Sequence, residues 1–168
     1  MTSGHPPRAA ASRGMIQDKR NEGMKEGWYG MELRDISITE YDLRRLKELV
    51  QVGISFGERD RESLEKLQDE LDRAHIVDST AVPGDVVTMN SRVRFKDLNT
   101  NEDKVYMLVF PSEAKLELQK ISVLAPIGTA ILGCGVGDTV EWRVPGGMKK
   151  VRIEEILYQP EAEGQYSY

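Results

Sequence analysis

Two apolar stripes at helical spacing, joined by a short connection, place the strongest constraint on how this chain can fold. The stripes consist of Leu43, Leu46 and Val50, and then of Leu64, Leu67, Leu71 and Ala74. Steps of three and four residues put each set on one face of a helix. The connection between Gly53 and Asp60 is short enough to turn the second helix back along the first. The pattern predicts helices over 39–52 and 60–75 that pack as an antiparallel coiled-coil hairpin.

The predicted hairpin carries its own start and stop signals. Thr39 is a favourable N-cap residue, and Asp42 three positions later resembles a capping box. Gly53 follows the last apolar position of the first helix, where helices commonly end. Helices of this length span only roughly 20–25 Å, and neither is stable alone. Packing along the two stripes must therefore hold the hairpin together.

The chain beyond residue 85 predicts strands instead of helices. Runs of β-branched and aromatic residues alternate there with turns that are rich in glycine, asparagine and proline. The predicted strands cover 86–95, 104–110, 121–124, 139–144 and 151–157. A short helix over 129–132 ends at Gly133. Strands arranged around one short helix predict the α+β class.

Composition narrows the class of protein further. The chain has 168 residues, a formal net charge of −5 and 39% apolar residues, as a soluble globular protein does. No run reaches the about 20 apolar residues that a membrane helix needs, and residues 1–30 lack the apolar core of a signal peptide. The single Cys134 excludes an intramolecular disulfide and suits a reducing compartment. We therefore expect a cytoplasmic protein without membrane contact.

The acidic charge is concentrated in the segment that contains the hairpin. Residues 31–85 hold eight basic and fourteen acidic residues, whereas residues 86–168 hold ten and eleven. Proteins bind backbone phosphates with lysine and arginine, so this chain is a poor candidate for direct contact with DNA or RNA. One strand does alternate Arg92, Arg94 and Lys96 on one face. We interpret that row as a solvated face, and a docking row for an acidic partner is the alternative.

Residues 1–33 predict a disordered or non-native leader. They are rich in glycine, include Pro6-Pro7 and hold few large apolar residues, so they bury too little surface to offset the cost of ordering. Translation from Met31 is one hypothesis, because Lys25-Glu26-Gly27 can be encoded as a purine-rich ribosome-binding sequence. A basic arm that touches nucleic acid is the other.

Several motifs of the strand-rich half resemble a known family. The run 122–133, the stretch 136–142 and the turn 145–147 resemble the C-terminal domain of the Gre transcription elongation factors. Those factors carry S-P-(I/M)-x-x-A-L-(L/I)-G, G-D-x-(V/A) and P-(G/A)-G motifs at similar spacing. Residues 85–93 and 158–162 resemble, more narrowly, the Rnk branch of that family. The resemblance covers about residues 34–165.

The resemblance implies a fold and a partner. It implies a C-terminal FKBP-like domain over 81–168, with the hairpin over 34–80 projecting from it. It also implies that RNA polymerase is the partner, with DNA and RNA reached only through the polymerase. In Gre factors this domain docks on the rim of the polymerase secondary channel. The matching docking loop here is Leu124, Ala125, Pro126, Ile127 and Gly128.

One departure bears on that docking loop. Gre factors often carry an acidic residue and a serine where this chain has Leu124 and Ala125. The departure makes the expected contact more apolar. A plain turn between a strand and a helix is the alternative interpretation of Pro126 and Gly128.

The tip of the predicted hairpin is the second candidate site. It comprises Phe56, Glu58, Asp60 and Glu62. In Gre factors, acidic residues at the tip of a longer coiled coil help to hold Mg²⁺ and a water for transcript cleavage, and carboxylates suit that ion. The arm here is much shorter, so we expect an acidic helix start that favours the helix dipole, with no catalytic residue, metal or cofactor.

The sequence therefore predicts a regulator that is not an enzyme. It would dock at the secondary-channel rim and compete with Gre-type factors, without stimulating transcript cleavage. Two alternatives stay open at this point. An FKBP-like fold could house a prolyl isomerase with an aromatic-lined pocket, and the tip carboxylates could support true transcript cleavage.

Overall fold

The structure is a computed structural model that describes residues 35–57 and 60–167. The predicted leader over 1–33 lies outside the described residues. The fold is mixed α+β, as the sequence predicts, with a pair of helices followed by a curled five-stranded sheet and a third short helix. Within the described ranges, no helix is both long and apolar enough to cross a membrane.

Helices α1 (Glu40–Ser55) and α2 (Arg61–Arg73) form the helical pair. Thr39 caps α1 as predicted, because the backbone N–H of Asp42 donates to Thr39 Oγ1 at 3.1 Å. The stripes meet between the helices and bury Leu46, Val50, Leu64, Leu67 and Leu71.

The prediction that α1 ends at Gly53 is wrong. Gly53 is buried inside the helix, where a Cβ would lie 2.6 Å from Leu64 Cδ1, so the glycine serves close packing of the two helices. The chain leaves the helical conformation at Phe56. Gly57 follows with φ +64°, a left-handed conformation that favours glycine.

Two three-residue strands flank the helical pair, and their brevity left no periodic signal in the sequence. Strand β1 (Ser37–Thr39) precedes α1, and β2 (His75–Val77) follows α2. They pair in parallel, with Ser37 opposite His75. The pairing returns the end of α2 to the start of α1, so the two helices run antiparallel.

The larger sheet has the strand order β5-β4-β3-β7-β6. Its strands are β3 (Arg92–Asp97), β4 (Glu102–Val109), β5 (Lys120–Ser122), β6 (Thr139–Val144) and β7 (Gly147–Tyr158). Only the β4–β5 pair is parallel among these neighbours. The register of the β3–β7 pair shifts at two places, between Arg92 and Val93 and between Arg94 and Phe95, and such irregularities increase local twist and bend the strand.

The first predicted strand, 86–95, starts too early. Residues 86–91 make one isolated bridge, between Val86 and Gly135, and a turn at 88–91, in which Ser91 N–H donates to Thr88 O at 3.1 Å, separates them from β3. Their other backbone bonds go to neighbouring segments, as from Val87 N–H to Cys134 O and from Asn90 N–H to Leu108 O. The N–H of Thr88 donates to Ser91 Oγ at 3.0 Å, and Thr88 Oγ1 donates to the buried Glu161 at 2.7 Å. A local side-chain bond of this kind competes with sheet formation.

The third helix also begins earlier than predicted. Helix α3 spans Pro126–Ile131, with Pro126 at its first position. Proline is favourable there because its missing N–H would have had no partner within the helix. One apolar core runs from the helical pair, through α3, into the inner face of the sheet.

Candidate docking surface

The predicted docking loop is a rigid turn between β5 and α3. Ala125 N–H donates to Ser122 O at 3.0 Å, and Leu124 N–H donates to Ser122 Oγ at the same distance. On the helix side, Thr129 Oγ1 donates to Val123 O at 2.6 Å. Both ends of the loop are therefore fixed by hydrogen bonds from their own neighbours.

Gly128 brings α3 unusually close to the strand before it. A Cβ at this position would lie 2.0 Å from Ser122 O, so no other residue fits without a shift of backbone. This packing accounts for Gly128 on structural grounds. The residue is buried and presents no side chain to a partner.

The other four loop residues divide between two directions. Pro126 is exposed, and Ala125 and Ile127 are half-buried, so these three present a small apolar surface. Leu124 is only 9% exposed and lines a cleft instead. The structure thus places the five predicted residues in one turn, of which Pro126 is exposed and Ala125 and Ile127 are partly exposed, while Ile127 also packs against the core.

The tip of the helical pair is exposed, but its predicted residues differ in their exposure and in their interactions. Phe56 is 79% exposed, and Asp60 lies in solvent at the start of α2. Glu62 is held by Lys66 in an ion pair of 2.8 Å, one helical turn on. Glu58 lies outside the described residues. Within the described residues, no three acidic, histidine or cysteine side chains are grouped to hold a metal ion.

The cleft next to the docking loop was not predicted from the sequence. It has a volume of about 970 Å³ and lies between α1 and the sheet. One wall is a single stripe of α1, formed by Arg45, Glu48, Leu49 and Val52. The other wall is built from four separate segments and is lined by Asn90, Phe110, Pro111, Ser112, Glu113, Leu124, Tyr158, Pro160 and Gln165. Asp60 also lines the cleft.

Arg45 sits at the junction of these walls. Its guanidinium lies over the ring of Phe110 at 4.2 Å and over the ring of Tyr41 at 5.4 Å. Both distances are within the range of cation–π attraction. Arg45 thereby joins α1 to the end of β4.

The remaining titratable candidates fit structural roles. Arg94 on β3 forms an ion pair with Glu155 on β7, while Arg92 is exposed and Lys96 half-buried. Cys134 is a buried thiol, and its Sγ donates to Ala130 O at 3.3 Å. The predicted second helix, 60–75, included His75, which lies exposed in β2 instead.

Comparison with known proteins places these elements in a family. Residues 82–158 match the family model described as "Transcription elongation factor, GreA/GreB, C-term", and residues 34–77 match the model "Rnk N-terminus". The "Regulator of nucleoside diphosphate kinase" of Escherichia coli (strain K12) is 46% identical over 101 residues, which cover 60% of this chain and 74% of that protein. The chain belongs to the Rnk branch of the GreA/GreB family.

More distant members share the second region. "Transcription elongation factor GreA" of Beijerinckia indica subsp. indica is 35% identical over 94 residues, or 56% of this chain and 60% of that protein. A solved structure, "Prokaryotic transcription elongation factor GreA/GreB from Nitrosomonas europaea", aligns with a TM-score of 0.62 and 39% identity. It covers 74% of this chain and all of that chain. The curled sheet and three helices are therefore similar to a GreA/GreB structure.

Membership of the Rnk branch was visible in the sequence, but the cleft residues were not. Arg45, Glu48 and Val52 lie at helical spacing on the polar side of the α1 stripe, which is the one signal that puts them on a common face. Phe110 follows β4 and Tyr158 ends β7, two strands that are far apart in sequence. Nothing in the sequence pairs these strand ends with α1.

Proposed function

We propose that this protein is a transcription regulator that binds RNA polymerase at the rim of its secondary channel and competes there with Gre-type factors. Membership of the GreA/GreB family carries the proposal. Ala125, Pro126 and Ile127 support it locally, since they form a fixed apolar surface on a rigid turn. A preorganised surface loses little conformational entropy on binding.

We assign different roles to the two regions of the chain. The region from residue 81 onward acts as an FKBP-like docking domain, and the helical pair acts as a short coiled-coil arm. The antiparallel course of α1 and α2 and their buried leucines support the second part. The protein works in the cytoplasm, where the polymerase is found.

We further propose that the protein is not an enzyme and does not stimulate transcript cleavage. Helix α1 has 16 residues and α2 has 13, so the arm reaches about 20–24 Å. Gre factors use a longer arm to bring carboxylates to the polymerase centre. The ion pair between Glu62 and Lys66 engages one of the tip carboxylates on its own helix.

Binding to purified RNA polymerase tests the docking loop. We expect Pro126→Lys to weaken binding at least tenfold, because it places a hydrated charge on the apolar docking surface. Pro145→Lys is the matched control, since Pro145 is also exposed but lies in the turn between β6 and β7. Equal affinities of the two variants and of the unmodified protein would show that this loop is not the docking surface.

Stalled elongation complexes test the absence of cleavage activity. We expect no shortening of transcripts on addition of this protein, and slower shortening when it is added together with a Gre factor. Shortened transcripts with this protein alone would overturn the proposal. Isomerisation of a prolyl peptide above the uncatalysed rate would likewise show that the protein is an enzyme.

A further inference from the structure

The cleft between α1 and the sheet combines an apolar lining with an acidic rim. The apolar part of its two walls is formed by Leu49, Phe110, Leu124 and Pro160, which are half-buried or buried. Val52 extends the apolar surface outward and is 48% exposed. An exposed apolar residue that continues a concave apolar surface is typical of a binding groove.

The rim carries three carboxylates, from Glu48, Asp60 and Glu113, and all three are exposed. They come from α1, from the start of α2 and from the turn after β4, so they surround the cleft on different sides. Over the described part of the chain, Glu48 and Glu113 take part in no ion pair. Their charges are therefore open to a partner.

Arg45 is the one basic residue among the cleft-lining side chains. Its guanidinium is covered by the rings of Phe110 and Tyr41, so it contributes to the wall and is not presented at the rim. Carboxylates therefore outnumber basic groups at the cleft, and a cationic partner would be attracted to it.

We propose that this cleft binds a partner protein segment that carries apolar side chains flanked by lysine or arginine. The apolar side chains pack between Val52 of α1 and Phe110 of the opposite wall, and the basic side chains pair with the rim carboxylates. The inference goes beyond the proposed docking. It concerns a second surface, which borders the docking loop at Leu124, and it holds whichever protein supplies the segment.

Peptide binding to the full chain tests this proposal without any polymerase. The probe is a fluorescein-labelled peptide made only of leucine and lysine in helical spacing, about five turns long, at physiological salt. We expect saturable binding that Glu48→Lys and Glu113→Lys each weaken at least fivefold. We expect Val52→Ser to weaken binding by a similar factor while leaving the charge unchanged.

Asp69→Lys is the matched control, because Asp69 is exposed on α2 and does not line the cleft. It should bind the peptide as the unmodified protein does, and thermal unfolding should show that all four variants remain folded. Three results would overturn the proposal: no binding, equal weakening by Asp69→Lys, or tighter binding of a leucine–glutamate peptide. Failure here would leave polymerase binding by the docking loop intact, so the two proposals are tested separately.

Discussion

Asp97 shows how one side chain stabilises a turn through its charge. It is buried at the end of β3, and its Oδ1 accepts from the N–H groups of Asn99 and Thr100 at 2.9 and 3.2 Å. Burial acts to raise the pKa of Asp97. The two N–H donors and the nearby Lys104 and Lys149 outweigh burial and hold the pKa below its ordinary value.

The lowered pKa of Asp97 predicts how the stability of the fold depends on pH. A carboxyl whose pKa is lower in the folded state stabilises the fold above its unfolded pKa of about 4, and the contribution is lost as pH falls through the lower folded value. Asp97→Asn keeps an acceptor oxygen but removes the charge. We expect Asp97→Asn to reduce the free energy of unfolding at pH 7. The difference from the unmodified protein should become smaller below a pH of about 4.

Urea unfolding of both proteins between neutral and acidic pH measures this difference. A deficit that is constant with pH would mean that the charge of Asp97 contributes nothing. The residue would then act only through the shape of the turn.

Among the elements, α3 and β5 depend on each other through a single glycine. The short helix packs so closely on the strand that Gly128 has no room for a Cβ. This contact also fixes the direction in which Pro126 faces, so the docking loop owes its shape to packing behind it.

Gly128→Ala is expected to lower the free energy of unfolding by about 3 kcal/mol, because the added methyl forces a backbone shift in a packed region. Gly146→Ala is the control. Nothing lies within 4 Å of a Cβ at Gly146, so that change should stay within about 0.5 kcal/mol. Denaturant unfolding compares the two, and similar stabilities would contradict the close approach of α3 to β5.

Across the whole molecule, the helical pair is joined to the sheet by polar contacts as well as by the common core. Asp42 on α1 is buried, and its Oδ2 accepts from Met89 N–H at 3.0 Å. Ser37 N–H donates to Gly133 O at 3.2 Å nearby. These bonds join the helical pair to the segments before β3 and after α3.

Asp42→Ala should therefore affect more than α1. It leaves the buried N–H of Met89 without this acceptor, which costs about 1–3 kcal/mol. We also expect faster proteolysis of the connection over 78–85, because the two regions would separate more often. Asp72→Ala is the control, since Asp72 is exposed and accepts a local bond from Gln68 on the same helix. Unchanged proteolysis of Asp42→Ala would show that the core alone joins the two regions.

Much of this fold could be predicted because its signals are local. The leucine stripes predicted both helices, Thr39 predicted the start of α1, and turn residues predicted most strands. The errors arose where a distant contact decided the outcome. Gly53 is buried within α1 because Leu64 needs its space, and β3 starts late because residues 88–91 form a turn that the bonds of Thr88 to Ser91 and Glu161 support.

The candidate sites show the same difference between local signals and contacts of distant segments. The sequence by itself determined the α+β class, the helical pair and the motifs of the GreA/GreB family, because periodicity, capping and turn chemistry act over a few residues. The tertiary structure alone decided that Leu124 faces a cleft and that Arg45 stacks on Phe110. Those residues come from elements far apart in the chain, and only burial of the common core brings them together.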